Sequence, residues 1–286
     1  MKIIDLPRIC DRRGNLSVIE RQGALPFAIE RAYWIYDVPG GVERQGHAFK
    51  RQEEFIVAIS GSFDVVVHDG EREQRITLNR SYYGLHLGPL TWRRIDNFST
   101  NSLCLVISSR PYEEDDYIRD FGEYCVLKAS GASFAPHPFA LPALPVPPAA
   151  CELIGLPRVD RPEGKITAVN NRVEVPFDVR RVYYLYDVPA GAERGGHSHK
   201  ALYQYLVAAS GSFDVVIDDG RQRRTVHLDR PYTGLLITPG TWRELRNFSG
   251  GAICMVLASA EYEEEDYVRD YDEFLALSEA LREVSS

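Results

Sequence analysis

Short runs rich in β-branched and aromatic residues alternate with turn signals along most of this chain. In the second half the runs are RRVYYLYDV, YQYLVAASG, SFDVVIDDG, RTVHLD, TGLLITPG, TWRELRNFS and AICMVLAS, and the breaks between them include DVPAGAERGG, DRPYTG and SGG. The runs are not separated by amphipathic helical patterns. So many short strands, punctuated by Gly, Pro and Asp, predict an antiparallel sandwich or barrel.

The same series of strands occurs twice. Residues 31–124 recur at 181–274 with a constant offset of 150, so that DVPGGVERQGHAFK returns as DVPAGAERGGHSHK and about half of the aligned positions are identical. The chain is therefore a duplicated domain. For each copy the double-sheet jelly roll, which is the architecture of the cupins, is the best candidate.

The segment between the copies, FAPHPFALPALPVPPAACELIGLP, is rich in Pro and Ala and predicts a semi-extended spacer. We expect an all-β chain of two tandem cupin jelly-roll domains, each with a short helix at its end. The N-terminal domain would span residues 1–129, the linker residues 130–156 and the C-terminal domain residues 157–286.

Each copy ends in an acidic stretch, SRPYEEDDYIRDFGEY and SAEYEEEDYVRDYDEF. Its carboxylates precede an apolar and aromatic periodicity, which predicts a short C-terminal helix with negative charge at its N-terminus. An acidic metal site is the alternative reading of the same residues, and the capped helix is the better supported of the two.

Composition narrows the partners. The 286 residues are 44% hydrophobic and carry a net charge of −8 without a basic cluster, which argues against nucleic acid or an anionic membrane as a partner. The start, MKIIDLPRICDRRG, lacks the apolar core of a signal peptide, so we expect a soluble, cytoplasmic protein. Five cysteines without a CxxC spacing predict reduced core residues.

Two histidines in the second copy stand two residues apart. Side chains at that spacing on a strand point to the same face, so His197 and His199 are expected to project together into the barrel. Converging imidazoles indicate either metal ligation or proton transfer. In the first copy the corresponding residues are His47 and Phe49.

The residues that follow argue against a metal. A metal-binding cupin would add a Glu a few residues after the histidines and a third His from a later strand. The second copy has Tyr203 and Gln204 at the first place and Arg243 at the other. The first copy does have glutamates, at positions 53 and 54, but it lacks the second His. A guanidinium repels cations, so we expect neither a metal nor another cofactor.

Several further residues are retained in both copies and are candidates for a site. Imidazole beside a Tyr suits proton transfer at carbon near neutral pH, and Arg is a natural partner for phosphate. The alternative, that the aromatic residues are core and the arginines form surface pairs, stays open. The retained pairs are Arg44 and Arg194, Tyr33 and Tyr183, Trp92 and Trp242, and Arg93 and Arg243.

These motifs resemble a known family. The run RRVYYLYDVPAGAERGGHSHK, the SGS turn, the DDG hairpin, PGTWRELRNFS and YEEEDYVRDYDEF occur in the order and spacing of the cupin-fold sugar 3,4-ketoisomerases, the WxcM-like sugar ketoisomerases. The resemblance covers nearly all of each copy and the segment DRRGNL near the start. It implies conversion of dTDP-4-keto-6-deoxyglucose into a 3-keto isomer for deoxyaminosugar biosynthesis.

The resemblance also implies roles for particular residues. His197, or His47 in the first copy, would remove the C3 proton, and the reaction would pass through an enediol without metal or nicotinamide. His199 would assist proton transfer at oxygen, and Tyr183 or Tyr33 would hydrogen-bond the sugar.

The substrate contacts follow in the same way. Arg194 or Arg44 would face the pyrophosphate or the sugar, and the candidates for the rest of the substrate are Trp242, Arg243, Trp92 and Arg93. Members of the family commonly form dimers that exchange N-terminal strands, and this chain resembles such a dimer fused into one polypeptide, a fused pseudo-dimer. If this chain does the same between its halves, Arg13 completes the site around His197.

The first copy departs from the family pattern at Phe49, because a phenyl ring can neither donate nor accept a proton. That copy is therefore expected to be slow, altered in outcome or purely structural. Two other functions stay open for the chain: a nucleotide-sugar 3,5-epimerase and a non-catalytic nucleotide-sugar-binding protein. The sequence also leaves open the nucleotide base, the C4 configuration of the product and whether the chain pairs further with itself.

Overall fold

A computed structural model describes residues 1–21, 25–146 and 148–285, and side chains as far as residue 280. The first half of the chain consists of short strands followed by a 3-10 turn, Glu114–Asp116, and helix α1, Phe121–Ala129. Its strands are β1 Lys2–Asp5, β2 Arg8–Asp11, β3 Gly14–Glu20, β4 Arg31–Tyr36, β5 Arg44–Phe49, β6 Glu54–Ser60, β7 Phe63–His68, β8 Glu73–Leu78, β9 Tyr83–Leu87, β10 Trp92–Asp96, β11 Leu103–Ser108 and β12 Tyr117–Ile118.

The second half repeats this order and ends in a second 3-10 turn, Glu264–Asp266, and helix α2, Tyr271–Ser285. Its strands are β13 Glu152–Gly155, β14 Arg158–Arg161, β15 Gly164–Asn170, β16 Arg181–Tyr186, β17 Arg194–His199, β18 Gln204–Ser210, β19 Phe213–Asp218, β20 Arg223–Leu228, β21 Thr233–Ile237, β22 Trp242–Arg246, β23 Ile253–Ala258 and β24 Tyr267–Val268. The nearly all-β pattern and the short helix after each series of strands are as predicted.

The chain forms two compact units that are not continuous in sequence. Unit 1 comprises residues 1–7, 23–143 and 157–173, and unit 2 comprises residues 8–22, 144–156 and 174–286. Each unit thus contains a strand pair from the other half of the chain. Continuous segments such as 1–129 and 157–286 describe the sequence repeats but not these units.

Unit 1 has two antiparallel sheets. The seven-stranded sheet has the order β1-β9-β6-β11-β4-β15-β14, and the five-stranded sheet has the order β12-β5-β10-β7-β8. Apolar side chains from both sheets, such as Ile56 and Val106 from one and Val65 and Ile95 from the other, form one buried cluster. This is the double-sheet packing of a jelly roll, in which alternate residues of each strand face the core.

Unit 2 repeats the arrangement, with a seven-stranded sheet β13-β21-β18-β23-β16-β3-β2 and a five-stranded sheet β20-β19-β22-β17-β24. Its core includes Leu206 and Val256 from the first sheet and Val215 and Leu245 from the second. The polar site described below lies on the inward faces of the same strands.

The exchanged strands are fully integrated into the sheets that receive them. In unit 2, β3 pairs with β16 in a six-residue antiparallel register in which Ile19 lies opposite Val182. In unit 1, β15 pairs with β4 in the matching register, and Val169 lies opposite Ala32. Leu16 and Val18 of β3 pack against the core of unit 2, and Ile166 and Ala168 of β15 pack against the core of unit 1. Ile19 and Val169, on the other face of each donated strand, are both 0% exposed.

One boundary differs from the sequence expectation. Residues 152–155 belong to the predicted linker but form β13, because Ile154 and its neighbours find a partner in the edge strand β21.

Each acidic stretch leads into a helix, as predicted. Its middle part forms the 3-10 turn, and its end begins the helix. The helices start after Asp120 and Asp270, whose carboxylates accept hydrogen bonds from the backbone amides of Glu123 and Glu273 in the first turns.

The five cysteines are unpaired. Cys104 and Cys254 are buried core residues as expected, and burial raises the pKa of each thiol to about 12. Cys10 is exposed, so the expectation of a core position is wrong for this residue. Within the described part of the chain, the helices are too short and too polar to cross a bilayer.

Candidate active site

The histidine strand β17 is the starting point of the site in unit 2. His197 lies opposite Arg243 of β22, and the pairing register shifts between Arg194 and His197. Gly195 at this irregularity has φ +73°, a left-handed conformation that favours glycine. A Cβ at Gly195 would lie 2.0 Å from Nη1 of Arg243, so the glycine makes room for the guanidinium.

His197 presents an unsatisfied base. Its side chain is 9% exposed, and its buried Nε2 has no hydrogen-bond partner among the residues that the structure describes. Burial, followed by the charge of Arg243, lowers the pKa of His197 well below its usual value, so the imidazole is neutral near neutral pH. A neutral imidazole with a free nitrogen can accept a proton from a ligand.

His199 lies beside His197, with the two ring centroids 5.0 Å apart and the planes at 89°. Its Nδ1 is 2.8 Å from Oδ2 of Asp266, and its Nε2 is 3.2 Å from Nε2 of Gln204. An amide nitrogen only donates, so His199 Nε2 accepts this hydrogen bond. The ring proton is therefore on Nδ1, which donates a hydrogen bond to Asp266. Burial, followed by the charge of Arg243, lowers the pKa of His199 to about 4, in agreement with this neutral form.

The side-chain amide of Gln204 is oriented by Arg243. Nε of Arg243 donates to Oε1 of Gln204 at 3.1 Å, and a guanidinium cannot accept, so the oxygen of the amide must face the arginine. The amide nitrogen then donates to the Tyr183 hydroxyl at 3.0 Å. Nη2 of Arg243 also donates to that hydroxyl, at 3.1 Å. Tyr183 therefore accepts two hydrogen bonds.

Positive charge surrounds this hydroxyl. Arg243 is 3% exposed, and the residues it contacts in the site are neutral. The guanidinium of Arg181, also 3% exposed, lies over the Tyr183 ring, 5.3 Å from its centroid, and its Nε and Nη2 have no hydrogen-bond partner. A buried region with two cations favours an anionic ligand or a developing negative charge.

Unit 1 has an arginine and a tyrosine in the same arrangement, but the residue bonded to both is a charged carboxylate instead of an amide. Glu54 occupies the place of Gln204, and its carboxylate accepts hydrogen bonds from Nε and Nη2 of Arg93 at 2.9 and 3.0 Å. It also accepts a hydrogen bond from the Tyr33 hydroxyl at 2.8 Å. The Arg93–Glu54 ion pair is buried, with side chains 4% and 1% exposed.

Phe49 takes the place of His199 in unit 1. Its ring lies 5.0 Å from that of His47 at 85°, which matches the geometry of the histidine pair in unit 2. His47 keeps a buried Nε2 without a partner, and burial lowers its pKa well below the usual value. Asp116, the counterpart of Asp266, instead accepts from the backbone amide of Gln52 and lies 3.4 Å from Arg51.

The turns between β2 and β3 and between β14 and β15 accept hydrogen bonds from Arg194 and Arg44, the first residues of β17 and β5. Nη1 of Arg194 donates to the carbonyl of Gly14 at 3.2 Å, and Nη1 of Arg44 donates to the carbonyl of Glu163 at 2.8 Å. Gly14 directly follows Arg13, so the first of these hydrogen bonds ties Arg194 to the backbone beside Arg13 in unit 2. Burial, followed by the charge of Arg13, lowers the pKa of Arg194. Arg13 itself is 57% exposed and paired with Asp11.

The structure does not bring the tryptophans to this site. Trp242 precedes Arg243 on β22 and therefore points to the opposite face of the sheet, where it packs on Tyr271 and Phe274 of α2. Trp92 packs in the same way on Phe121 and Tyr124 of α1. The expected substrate contacts of Trp92 and Trp242 are corrected accordingly, because both residues fix the C-terminal helices.

The structure adds Gln204, Asp266 and Arg181 to the site. The sequence raised Gln204 only as a position where a metal ligand was missing, and it assigned the acidic stretch around Asp266 to a helix. Comparison of the two copies could have found Gln204. The second copy has His199 together with Gln204, and the first copy has Phe49 together with Glu54, so the two positions change together. Within the described residues, His, Cys, Asp and Glu side chains do not form a group of three or more that could hold a metal ion.

This chain is similar in sequence to a protein family and to a characterised enzyme. The family model described as FdtA: WxcM-like, C-terminal matches residues 1–129 and again residues 149–279. The TDP-4-oxo-6-deoxy-alpha-D-glucose-3,4-oxoisomerase of Aneurinibacillus thermoaerophilus is 39% identical over 123 residues, which are 43% of this chain and 88% of that protein.

Two solved structures also match this chain over less than half of its length. A 3,4-ketoisomerase from Helicobacter canadensis is 42% identical and covers 45% of this chain and 97% of its own, with a TM-score of 0.44. A sugar 3,4-ketoisomerase from Thermoanaerobacterium thermosaccharolyticum in complex with TDP is 34% identical and covers 46% of this chain and 96% of its own, with a TM-score of 0.45. The family model matches each half of the chain, and the curated relative covers 43% of it, as expected for a tandem repeat.

Proposed function

The chain belongs to the FdtA family of WxcM-like C-terminal domains, and from this premise we propose that unit 2 carries a 3,4-ketoisomerase site for a TDP-linked 4-keto-6-deoxy sugar. The relative from Aneurinibacillus thermoaerophilus is named a TDP-4-oxo-6-deoxy-alpha-D-glucose-3,4-oxoisomerase. The chain is accordingly a sugar-nucleotide isomerase. What remains to be proposed is which residues perform the reaction and where.

The observation that carries the assignment to unit 2 is the free Nε2 of His197 in a buried site that also holds Arg243 and the Tyr183 hydroxyl. A base without a partner, next to a hydroxyl between two cations, suits proton removal beside a carbonyl. In unit 1 the base is present, but its arginine is paired with Glu54.

In the proposed reaction, His197 Nε2 takes the proton from C3 of the sugar. The C–H electrons form a double bond between C3 and C4, and the negative charge that develops on the C4 oxygen is stabilised by Tyr183 and Arg243. Protonation of that oxygen gives the enediol. Loss of the proton from the C3 hydroxyl and return of a proton to C4 then give the 3-keto isomer, so the overall change needs no oxidant or reductant.

We propose that Arg194 and Arg13 bind the diphosphate, because Arg194, at the start of the histidine strand, donates to the carbonyl of Gly14, the residue that follows Arg13. At the corresponding place unit 1 has Arg44 with Glu163, whose carboxylate opposes an anionic ligand. Arg13→Ala should raise KM by about three- to tenfold with little change in kcat, because an exposed cation contributes mainly to binding. A parallel Glu163→Ala variant should keep the wild-type KM.

The test is proton NMR of the purified chain with TDP-4-keto-6-deoxyglucose, comparing wild type, His197→Asn and His47→Asn. We expect a 3-keto product from wild type and His47→Asn and none from His197→Asn. Equal loss in both variants would assign the reaction to both units. Solvent exchange at C5 would indicate a 3,5-epimerase instead, and a wild type that binds the nucleotide sugar without product or exchange would be a binding protein.

A further inference from the structure

The two units differ in the direction of one buried hydrogen bond. In unit 2 the Tyr183 hydroxyl accepts from Gln204 and Arg243. In unit 1 the Tyr33 hydroxyl donates to Glu54 while it accepts from Arg93. A phenol has one proton and two lone pairs, so this difference decides whether its proton remains available to a ligand.

We propose that Gln204 is a positioning residue that keeps Tyr183 a hydrogen-bond donor to the C4 oxygen of the substrate, and that Glu54 removes this capacity from Tyr33. The inference rests on the function proposed above. It concerns which residue controls the acid of the reaction and why only one of two similar sites has that acid.

The donor state of Tyr183 follows from its contacts. Its oxygen receives two hydrogen bonds, and among the described residues its own proton has no acceptor within hydrogen-bond distance. The neighbouring base, His197, also has a free Nε2. Unit 2 thus combines an unused acceptor and an unused donor, which are the two groups that a keto–enol shift requires.

The remaining contacts keep Gln204 in this orientation. Rotation of its amide by 180° would place an NH2 group against Nε of Arg243 and an oxygen against Nε2 of His199. His199 in turn is held by Asp266, whose other oxygen accepts from the backbone amide of Ala201 at 2.7 Å. Both ring nitrogens of His199 are therefore used inside the protein, and this residue acts through Gln204 rather than on the substrate.

Unit 1 keeps the arginine of this arrangement but has neither the histidine nor the amide. Phe49 cannot bond to residue 54, and a carboxylate at that position has acceptors only, so it attracts the Tyr33 proton and the Arg93 guanidinium together. Glu54 also cancels the positive charge that would stabilise the C4 oxygen. The base His47 is then left without a partner acid, although it is buried in the same way as His197.

The experiment places the residue of unit 1 into unit 2. Gln204→Glu has nearly the same volume, and unit 1 already accommodates Glu there. In the full-length chain with TDP-4-keto-6-deoxyglucose, we expect kcat to fall about 100-fold and KM to stay within about threefold. Gln222→Glu makes the same charge change in the exposed turn between β19 and β20 and should keep the wild-type kcat.

A second comparison distinguishes positioning from general damage. Tyr183→Phe should cost about 100-fold in the wild-type background and little in the Gln204→Glu background, because the two changes remove the same donor. If Gln204→Glu does not fold, as judged by its thermal unfolding, His199→Phe replaces it, with an expected loss of about tenfold in kcat.

The outcomes separate the two proposals. A folded Gln204→Glu variant with wild-type kcat, or fully additive effects of Gln204→Glu and Tyr183→Phe, overturns the role of Gln204 and leaves the ketoisomerase assignment intact. A wild-type chain that gives no 3-keto product overturns the proposed function itself.

Discussion

Gln204 donates a hydrogen bond to the Tyr183 hydroxyl at 3.0 Å. The equivalent pair in unit 1 has the opposite polarity, because Tyr33 donates to Glu54 at 2.8 Å. Two units with the same strands and the same base therefore differ in the acid that they offer. This difference, and the strand exchange that builds each unit, have measurable consequences.

The site of unit 1 should be repairable. In a His197→Asn background, Phe49→His together with Glu54→Gln should restore solvent exchange at C3 at about ten times the rate of either single change, because both the relay and the donor are needed. Deuterium incorporation measured by NMR checks this. Equal exchange in Phe49→His alone would mean that Glu54 does not limit unit 1.

Gly195 should matter for activity through Arg243. A Cβ at this position would displace Nη1 of Arg243, so we expect Gly195→Ala to lower kcat by about tenfold or more. Gly191→Ala is the matched control, because Gly191 has φ +78° but its Cβ would have no atom within 4 Å. Both variants should lose about 1 kcal/mol to the left-handed backbone. Gly195→Ala should lose more than Gly191→Ala because of its overlap with the buried Arg243, and only Gly195→Ala should lose activity.

Stability should fall as the pH is lowered from about 6.5 towards 4, because the folded chain keeps its buried histidines neutral. The pKa of His199 is about 4 in the folded chain against an ordinary value of 6.5, so in this window the unfolded state binds more protons. His197 and His47 act in the same direction. Each such histidine adds up to about 1.4 kcal/mol per pH unit to the slope.

Urea unfolding of His199→Phe should accordingly show a smaller loss of stability between pH 7 and about 4.5 than wild type, although Asp266 also faces this position. Above about pH 7 the two proteins should have parallel profiles, since His199 is neutral in both states there. An unchanged slope in the acid range would contradict the lowered pKa of His199.

The strand exchange predicts which sheet a mutation will affect. Ile19→Ala should lower the free energy of unfolding by about 2–4 kcal/mol, because its side chain is fully buried. Although Ile19 lies in the first half of the chain, the change should weaken the pairing of β3 with β16 of unit 2. Hydrogen exchange followed by mass spectrometry should show faster exchange in residues 181–186. Val169→Ala is the reciprocal variant and should act on residues 31–36. Faster exchange confined to each residue's own half would contradict the exchanged pairing.

Local pattern predicted much of the fold. Alternation of apolar residues, Gly and Asp at the turns and the constant offset between the copies are properties of neighbouring positions, so they predicted the tandem β-domains before any contact was known. The same periodicity placed His197 and His199 on one face. It could also have separated Trp242 from Arg243, since adjacent strand residues point to opposite faces.

The sequence by itself determined the duplication, the β-architecture and the presence of a base in each copy. Three features could be found only in the folded chain. Strands β3 and β15 join the sheets of the opposite units. His199 is hydrogen-bonded on both ring nitrogens, to Asp266 and Gln204. Tyr183 accepts a hydrogen bond from Gln204, whereas Tyr33 donates one to Glu54. The physical reason is that hydrogen-bond direction depends on all donors and acceptors around one atom. Those groups come from strands far apart in the chain, and a single change from Gln to Glu reverses the result.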